Sequence, residues 1–160
     1  MNYEIGDTVV HWTHGMGKVI AIDEMDLAGK TQQYYVVEVD VLKLWVSFDD
    51  AQGGSIRFPT ESVHFTQLLD ILRMPGQRLP DSQYQRRIEL RERMQKRTLE
   101  DLFHVIRDLK DRSRHHPLNP NDSATLFRAE EQLLDEWVLV LGTERSCALH
   151  ELEGLLQGEG

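Results

Sequence analysis

The feature that most constrains the fold is a change of pattern at Pro59. Before it, short β-rich segments alternate with turn residues, and no interval is long enough for a helical crossover between parallel strands. After it, apolar residues recur at helical spacing almost to the end of the chain. The pattern therefore predicts an antiparallel β region followed by an all-helical region, which is the α+β class.

Five short strands are predicted in the first sixty residues, at 7–12, 18–22, 33–39, 43–48 and 55–58. Glycines separate most of them, which is typical of tight turns between neighbouring antiparallel strands. Strands of this length and number favour a small antiparallel barrel.

The helical part begins with apolar spacing over residues 63–72. Two prolines and a glycine within residues 74–80 then indicate a linker. We therefore expect a barrel domain with a trailing helix over 1–74, a linker over 75–80 and a helical domain over 81–160.

Capping signals place the later helices. Thr98, followed by Asp101, resembles a capping box and predicts a helix start. Asn121 or Asp122 is expected to cap the next helix, which would end before Gly142. Thr143 is expected to cap the last helix.

The net charge of −9 argues against tight binding to bulk nucleic acid. The charge is unevenly distributed, however. Residues 1–74 hold 5 basic and 11 acidic residues, residues 75–117 hold 11 and 7, and residues 118–160 hold 2 and 9. A cationic middle segment therefore lies between two anionic ones.

No catalytic or cofactor-binding constellation is recognisable. His11 and His14 lie on a strand-to-turn path, where side chains three apart diverge, and Cys147 with His150 fits an amphipathic helix better than a metal site. The single cysteine excludes an internal disulfide. We therefore expect neither enzymatic activity nor a cofactor or metal.

The chain shows no targeting signal either. Its first residues have no basic start followed by an apolar stretch, and no apolar run approaches the roughly 20 residues of a membrane span. The expectation is a soluble cytoplasmic protein.

The basic segment carries the one positive functional signal. Arginine pairs with phosphate bidentately, and a neighbouring aromatic ring can stack on bases or wedge between them. The alternative is a solvated helix face stabilised by pairs such as Glu89 with Arg93. The residues concerned are Tyr84, Arg86, Arg87, Arg91, Arg93, Lys96 and Arg97.

The order of motifs resembles the CarD/CdnL family of bacterial transcription regulators. The run IGDTVVHWTHGMGKV, from Ile5 to Val19, is similar to the family opening, although Trp12 replaces the usual proline. GSIR at 54–57 and TLEDLFHVIRDL at 98–109 resemble a strand and a second-domain helix of the family. The resemblance covers nearly the whole chain.

This resemblance implies a function and its parts. The N-terminal domain would be a Tudor-like barrel, similar to the polymerase-interacting domain of the transcription-repair coupling factor. It would dock on the β subunit of RNA polymerase. The helical domain would contact promoter DNA at the upstream edge of the transcription bubble, where a tryptophan wedge helps to set open-complex stability. No enzymatic activity, cofactor or small-molecule substrate is implied.

The family's binding residues carry over unevenly. The polymerase-facing residues would be Met25, Asp26, Leu27, Trp45 and Ser47. Family members often have arginine where this chain has Met25 and Ser47, so we expect a more apolar docking face with Trp45 as its anchor.

On the DNA side, Tyr84 would replace the tryptophan wedge. The DNA-binding residues implied by the resemblance are Tyr84, Arg86, Arg87, Arg91, Arg97 and Arg107. Further cations near the following loop could reinforce them, namely Arg78, Lys110, Arg112 and Arg114.

Three alternatives stay open. The chain could bind polymerase without productive DNA contact. It could bind another protein by adding a strand at a sheet edge. It could also be a metal-dependent enzyme that uses its histidines.

Overall fold

The computed structural model describes residues 2–96 and 98–157. The chain forms two compact units, residues 1–59 and residues 60–160. Strands dominate the first unit and helices the second, so the predicted α+β class is confirmed.

The first unit is built on one antiparallel sheet. Its strands are β1 (Thr8–His11), β2 (Gly15–Leu27), β3 (Lys30–Val39), β4 (Leu42–Ser47) and β5 (Ile56–Arg57). They lie in the order β4-β3-β2-β1-β5.

The sheet is open, whereas a closed barrel was predicted. Strands β4 and β5 form its two edges, and no ladder joins them in the described residues. The sequence between them forms a short helix, α1 (Phe48–Gln52), and β5 is only two residues long. So short a strand offers too few hydrogen bonds to close the sheet onto β4. The Tudor-like character of this unit stays a prediction.

The β2–β3 hairpin extends beyond its neighbours. Residues 24–27 of β2 pair with residues 30–33 of β3, but neither β1 nor β4 pairs with this part. Ala28 and Gly29 form the turn, both with positive φ, at 52° and 79°. Two residues with positive φ are what a tight type I′ hairpin turn requires.

The apolar core of the first unit lies on one face of the sheet. Gly17 explains how closely the strands approach there, because a Cβ atom at this position would lie 2.6 Å from the carbonyl oxygen of Glu38. The buried residues are Tyr3, Val9, Val19, Tyr35, Val37, Val39, Val46, Ala51 and Ile56.

The second unit is helical throughout. Its helices are α2 (Ser62–Leu68), a 3₁₀ helix (Leu69–Arg73), α3 (Gln83–Gln95), α4 (Leu99–Ser113), α5 (Pro120–Leu141) and α6 (Arg145–Leu156). Phe65, Phe103 and Trp137 meet edge to face at its centre, with ring centroids 5.7 Å apart in both pairs that involve Phe65.

The boundary between the units differs from the predicted one. Phe65 and Leu72 are buried in the core of the helical unit, so residues 60–74 belong to it and not to the sheet. The predicted linker is packed there too. Leu79 is 2% exposed, and the backbone N–H of Gln77 donates to Asp108. The prolines therefore shape a turn within one unit.

The helix caps agree only in part with prediction. Thr98 caps α4 by accepting the backbone N–H of Asp101 at 3.1 Å, as expected. The predicted cap of α5 is wrong, because Asn119 takes that role and Pro120 occupies the first helical position, which suits its fixed φ. The predicted Thr143 cap is also wrong, because α6 begins after Glu144 without a side-chain cap.

Candidate functional site

Trp45 dominates the sheet face opposite the apolar core. It pairs across the ladder with Val36, and Val36 pairs with Ala21, so the three side chains form one row on the same face. The indole Nε1 donates to the carboxylate of Asp23 at 3.0 Å. Trp45 is 47% exposed, whereas Val36 beside it is 3% exposed. The ring is therefore fixed in place while much of its surface stays open to solvent.

Met25 and Leu27 extend this outer face along the projecting hairpin. They follow Asp23 at intervals of two residues, so they point to the same side of the sheet as Trp45. Leu27 is 56% exposed and Met25 is half-buried opposite Gln32. The structure thus places three of the five predicted polymerase-facing residues on one face.

Asp26 and Ser47 do not belong to that exposed set. Asp26 points to the opposite side and accepts a hydrogen bond from the hydroxyl of Thr31 at 2.5 Å, across the hairpin. Ser47 is 7% exposed and caps α1 by accepting the backbone N–H of Asp50. The chain turns into α1 at that point and buries Ser47, which does not favour its predicted docking role; that role stays a prediction.

Asp23 was missed by the sequence reasoning. Its role depends on the register that brings β2 and β4 to either side of β3, which no local motif reports. Alternation along the second strand could have placed Asp23, Met25 and Leu27 together.

Helix α3 presents an exposed stripe of one aromatic and two basic residues. Tyr84, Arg87 and Arg91 are spaced three and four apart, so they share a face of the helix. Tyr84 is 65% exposed and both arginines are exposed. The adjoining face buries Arg86 and Leu90 against the helical unit. We call Tyr84, Arg87 and Arg91 the α3 stripe.

Arg86 lies inside the unit and not on that stripe. Its Nε donates to the carboxylate of Asp122 at 2.9 Å, and both side chains are buried. Its Nη1 donates to the carbonyl oxygens of Pro80 and Asp81. These bonds hold α3, α5 and the preceding turn together, so they do not favour the predicted DNA contact of Arg86, which stays a prediction.

Arg107 is also buried, at 5% exposed. Its Nε donates to Asp108 at 3.0 Å, and Asp108 additionally accepts Arg93 at 2.5 Å and the backbone N–H of Gln77 at 2.8 Å. The burial of Arg107 and its pair with Asp108 do not favour the predicted DNA contact, which stays a prediction. Arg97, the remaining predicted DNA residue, lies outside the described residues.

The cations expected to reinforce the DNA face carry acidic neighbours. One of these acidic neighbours is Asp81. Its carboxyl accepts a hydrogen bond from Arg78 and lies near Arg112, and both arginines lower its pKa and keep it charged. The pairs are Arg78 with Asp81, Lys110 with Glu130, Arg112 with Asp81, and Arg114 with Asp111. By contrast, Arg87 and Arg91 have no ion-pair partner in the part of the chain that the structure describes.

The predicted metal candidates form no cluster. His11 instead organises the β1–β2 turn, since its Nδ1 accepts the backbone N–H groups of Thr13 and His14. Across residues 2–96 and 98–157, no three His, Cys, Asp or Glu side chains lie together in a way that could hold a metal ion. None of the described helices combines the length and the hydropathy that crossing a bilayer requires.

The chain thus combines an antiparallel sheet unit with an exposed tryptophan and a helical unit with a basic and aromatic stripe. Residues 3–64 match the family described as the CarD-like/TRCF RID domain, and residues 67–153 match the family described as the CarD C-terminal domain. The chain therefore belongs to the CarD-like family, and the resemblance seen in the sequence is confirmed. This pair of domains identifies a transcription-related regulator that interacts with RNA polymerase.

A full-length relative agrees with this assignment. The chain is 24% identical over 143 residues to the protein named "Putative transcription factor YdeB" from Bacillus subtilis (strain 168). The match covers 88% of this chain and 93% of that protein. Both units are therefore shared with the relative.

Proposed function

We propose that the protein docks on the β subunit of RNA polymerase and contacts promoter DNA at the upstream edge of the bubble, so that it modulates open-complex stability. The outer sheet face would bind polymerase and the α3 stripe would contact DNA. The protein would act by binding alone, in the cytoplasm, on polymerase bound to the nucleoid. Its membership of a polymerase-interacting family supports this reading.

The observation that carries the proposal is the exposed but fixed indole of Trp45. Tryptophan is enriched among the residues that contribute most to protein interfaces. Its hydrogen bond to Asp23 reduces the side-chain entropy that binding would otherwise cost. Leu27 and Met25 supply further apolar surface beside it.

The α3 stripe suits a contact of modest affinity with DNA. Arg87 and Arg91 can each pair with a phosphate, since no carboxylate in the described residues engages them. Tyr84, one turn earlier, can stack on an exposed base, although its ring is smaller than that of the family tryptophan.

Tethering makes such a weak contact sufficient. Once the sheet unit is docked on polymerase, the effective DNA concentration seen by the helical unit rises to roughly millimolar. The net charge of −9 would keep the free protein off bulk DNA. The DNA contact would therefore act only at promoters already occupied by polymerase.

A second candidate function is polymerase binding, or binding to another protein, without productive DNA contact. The burial of Arg86 and Arg107 favours it, because it leaves only Tyr84, Arg87 and Arg91 of the predicted DNA residues exposed in the described chain. Strand β4 is also a free sheet edge, to which a peptide strand could add.

Open-complex lifetimes distinguish these candidates. The full-length chain would be added to polymerase from its own organism on a promoter, and dissociation would be followed after a competitor challenge. Wild type would be compared with Trp45→Ala, Tyr84→Ala and the double variant. Phe127→Ala is a matched control, because this ring is 67% exposed on α5.

The proposal predicts that either single change removes the effect on lifetime and that the double variant shows no further loss. An effect lost in Trp45→Ala but kept in Tyr84→Ala would favour the second candidate. An effect kept in both would contradict the assigned surfaces.

A further inference from the structure

Arg107 carries a buried donor that the helical unit does not use. Its Nε is paired with Asp108, but its Nη2 is buried and has no hydrogen-bond partner within the described residues. The side chain as a whole is 6% exposed. An unpaired donor on a charged, buried group is costly, so a group that accepts its hydrogen bond is expected at this position.

A cavity of about 220 Å³ adjoins this arginine. It lies between the turn after the 3₁₀ helix, the C-terminal half of α4 and the end of α6. Two further arginines, Arg73 and Arg114, line it, and Asp111 is the one carboxylate among its lining residues.

The charges around the cavity favour an anion. Arg73 is 3.3 Å from Asp70, and Arg114 is 3.6 Å from Asp111, so both arginines keep donors that single carboxylates do not occupy. Both side chains are largely exposed at the rim, whereas Arg107 lies at the buried end. Each of the three guanidinium groups contacts one carboxylate but has more donors than that contact uses, and such donors can bind an oxyanion.

We propose that this cavity binds one phosphate group of a small phosphorylated molecule, with Arg107 holding the buried oxygen and Arg73 and Arg114 closing the rim. Guanidinium groups match the geometry of phosphate oxygens and bind them with charge-assisted hydrogen bonds. A volume of about 220 Å³ is below the 300–1,000 Å³ usual for drug-sized ligands, so it holds a phosphate group but not a nucleoside.

The site is separate from the proposed DNA contact. The α3 stripe contributes no residue to the cavity. A bound phosphate would link the 3₁₀ helix, α4 and α6, and it would stabilise the folded helical unit by mass action.

Equilibrium dialysis of the full-length chain with radiolabelled inorganic phosphate and with pyrophosphate tests the proposal. The test variant is Arg73→Gln with Arg114→Gln, because both rim side chains are exposed and their loss leaves the core intact. The matched control is Arg128→Gln, an exposed arginine of α5 that does not line the cavity. Chloride at equal ionic strength controls for screening.

We expect saturable binding, a dissociation constant at least tenfold higher in the double variant, and a change of less than twofold in the control. The Arg107 side-chain NMR signals should shift when phosphate is added to the wild type. Tighter binding of pyrophosphate than of phosphate would indicate that the natural ligand carries its phosphate on a larger molecule, and equal binding would indicate free phosphate.

Three results would overturn the proposal. The first is no saturable binding to the folded chain, which would mean that water satisfies Arg107. The second is equal binding by the test and control variants. The third is displacement of phosphate by a promoter duplex at similar concentration, which would assign the site to nucleic acid.

Discussion

At the level of single residues, one buried carboxylate organises much of the helical unit. Asp108 accepts hydrogen bonds from Arg93, Arg107 and the backbone of Gln77, and it is 1% exposed. These contacts tie α3, α4 and the preceding turn to one point. They also show that Arg93 and Arg107, two cations of the basic part of the sequence, stabilise the fold.

Replacing Asp108 by Asn should lower the free energy of unfolding by about 3–5 kcal/mol, because it leaves the buried Arg107 without its counter-charge and removes one of the two carboxylates at the half-buried Arg93. Urea denaturation of the full chain measures this. Asp70→Asn is the control, since that carboxylate is exposed, and its change should stay within about 0.5 kcal/mol. Equal effects of the two substitutions would contradict the role given to Asp108.

Glu130 provides a pH-dependent prediction. Burial raises the pKa of its carboxyl, while Lys110, whose Nζ lies 3.6 Å away, lowers it and the charges of Glu153 and Glu131 raise it further. A raised pKa in the folded state means that folding disfavours the charged form. Below its unfolded-state pKa, the Glu130 carboxyl therefore costs the wild type no stability. The free energy of unfolding then falls as the pH rises through the folded-state pKa.

The variant Glu130→Gln should consequently be more stable than the wild type at pH 7, with no advantage below about pH 4, where both states of the wild type are protonated. Paired urea titrations at a series of pH values measure the difference. An advantage that does not change with pH, or a variant that is less stable at pH 7, would show that the Lys110 pair outweighs the cost of burial.

At the level of elements, the hairpin turn of β2–β3 carries strain. Ala28 has φ of 52°. This left-handed backbone conformation costs a residue that carries a Cβ atom about 1–2 kcal/mol. Asn-Gly is the preferred pair for such a turn. Ala28→Asn should therefore stabilise the chain by about 0.5–1 kcal/mol.

The second residue of the turn supplies the control for this substitution. Gly29→Ala should destabilise the chain, because φ at Gly29 is 79°. Thermal unfolding of both variants measures the pair of effects. If Ala28→Asn were no more stable than the wild type, the turn would not be of type I′.

Two adjacent arginines of α3 are expected to respond differently to substitution, because Arg86 is buried and Arg87 is exposed. Arg87→Gln should change stability by less than about 0.5 kcal/mol. It should weaken binding to free DNA and reduce the magnitude of its salt slope by about 1, as expected when one phosphate contact is lost. Arg86→Gln should instead destabilise by about 3–5 kcal/mol through the orphaned Asp122. Fluorescence anisotropy with duplex DNA at several salt concentrations and urea denaturation measure the two quantities.

If Arg87→Gln lost stability as Arg86→Gln does, its exposed position on the α3 stripe would be refuted. If Arg87→Gln left the salt slope unchanged while folding normally, it would not contact phosphate.

The sequence predicted the strands well, because β-branched runs between glycines report local structure. The observed β1, β3 and β4 lie within a few residues of the predicted segments. The second strand was underestimated, since its outer half, Asp23–Leu27, is polar and pairs only within the hairpin. The compact sheet unit ends at residue 59, before the predicted boundary, because the Pro75–Pro80 segment has linker composition yet packs inside the helical unit.

The candidate site was predicted less completely than the fold. Trp45 and Tyr84 were identified, and both are exposed. Which arginines reach solvent could not be read from the chain. Arg86 pairs with a carboxylate 36 residues away, and the adjacent Asp108 that pairs with Arg107 is itself held by the distant backbone of Gln77. Long-range ion pairs of this kind leave no local pattern in the sequence.

At the level of the whole molecule, the charge distribution supports a division of labour between the two units. Four basic and nine acidic residues in the sheet unit, residues 1–59, suit a unit that binds protein and not DNA. The exposed cations of α3 interrupt an otherwise acidic helical unit, so its affinity for free DNA should be low and should fall steeply with salt. The contact with polymerase would provide most of the binding affinity, and the helical unit would change the stability of the open complex.

The most direct test of this account is the equilibrium binding of the full-length chain to the β subunit of its own RNA polymerase, measured by interferometry. Docking through the outer sheet face predicts saturable binding that weakens at least tenfold in Trp45→Ala. Val41→Ala, on the β3–β4 turn and 95% exposed, should bind like the wild type. Binding that is unaffected by Trp45→Ala in a folded protein, or no binding by the wild type, would contradict the account.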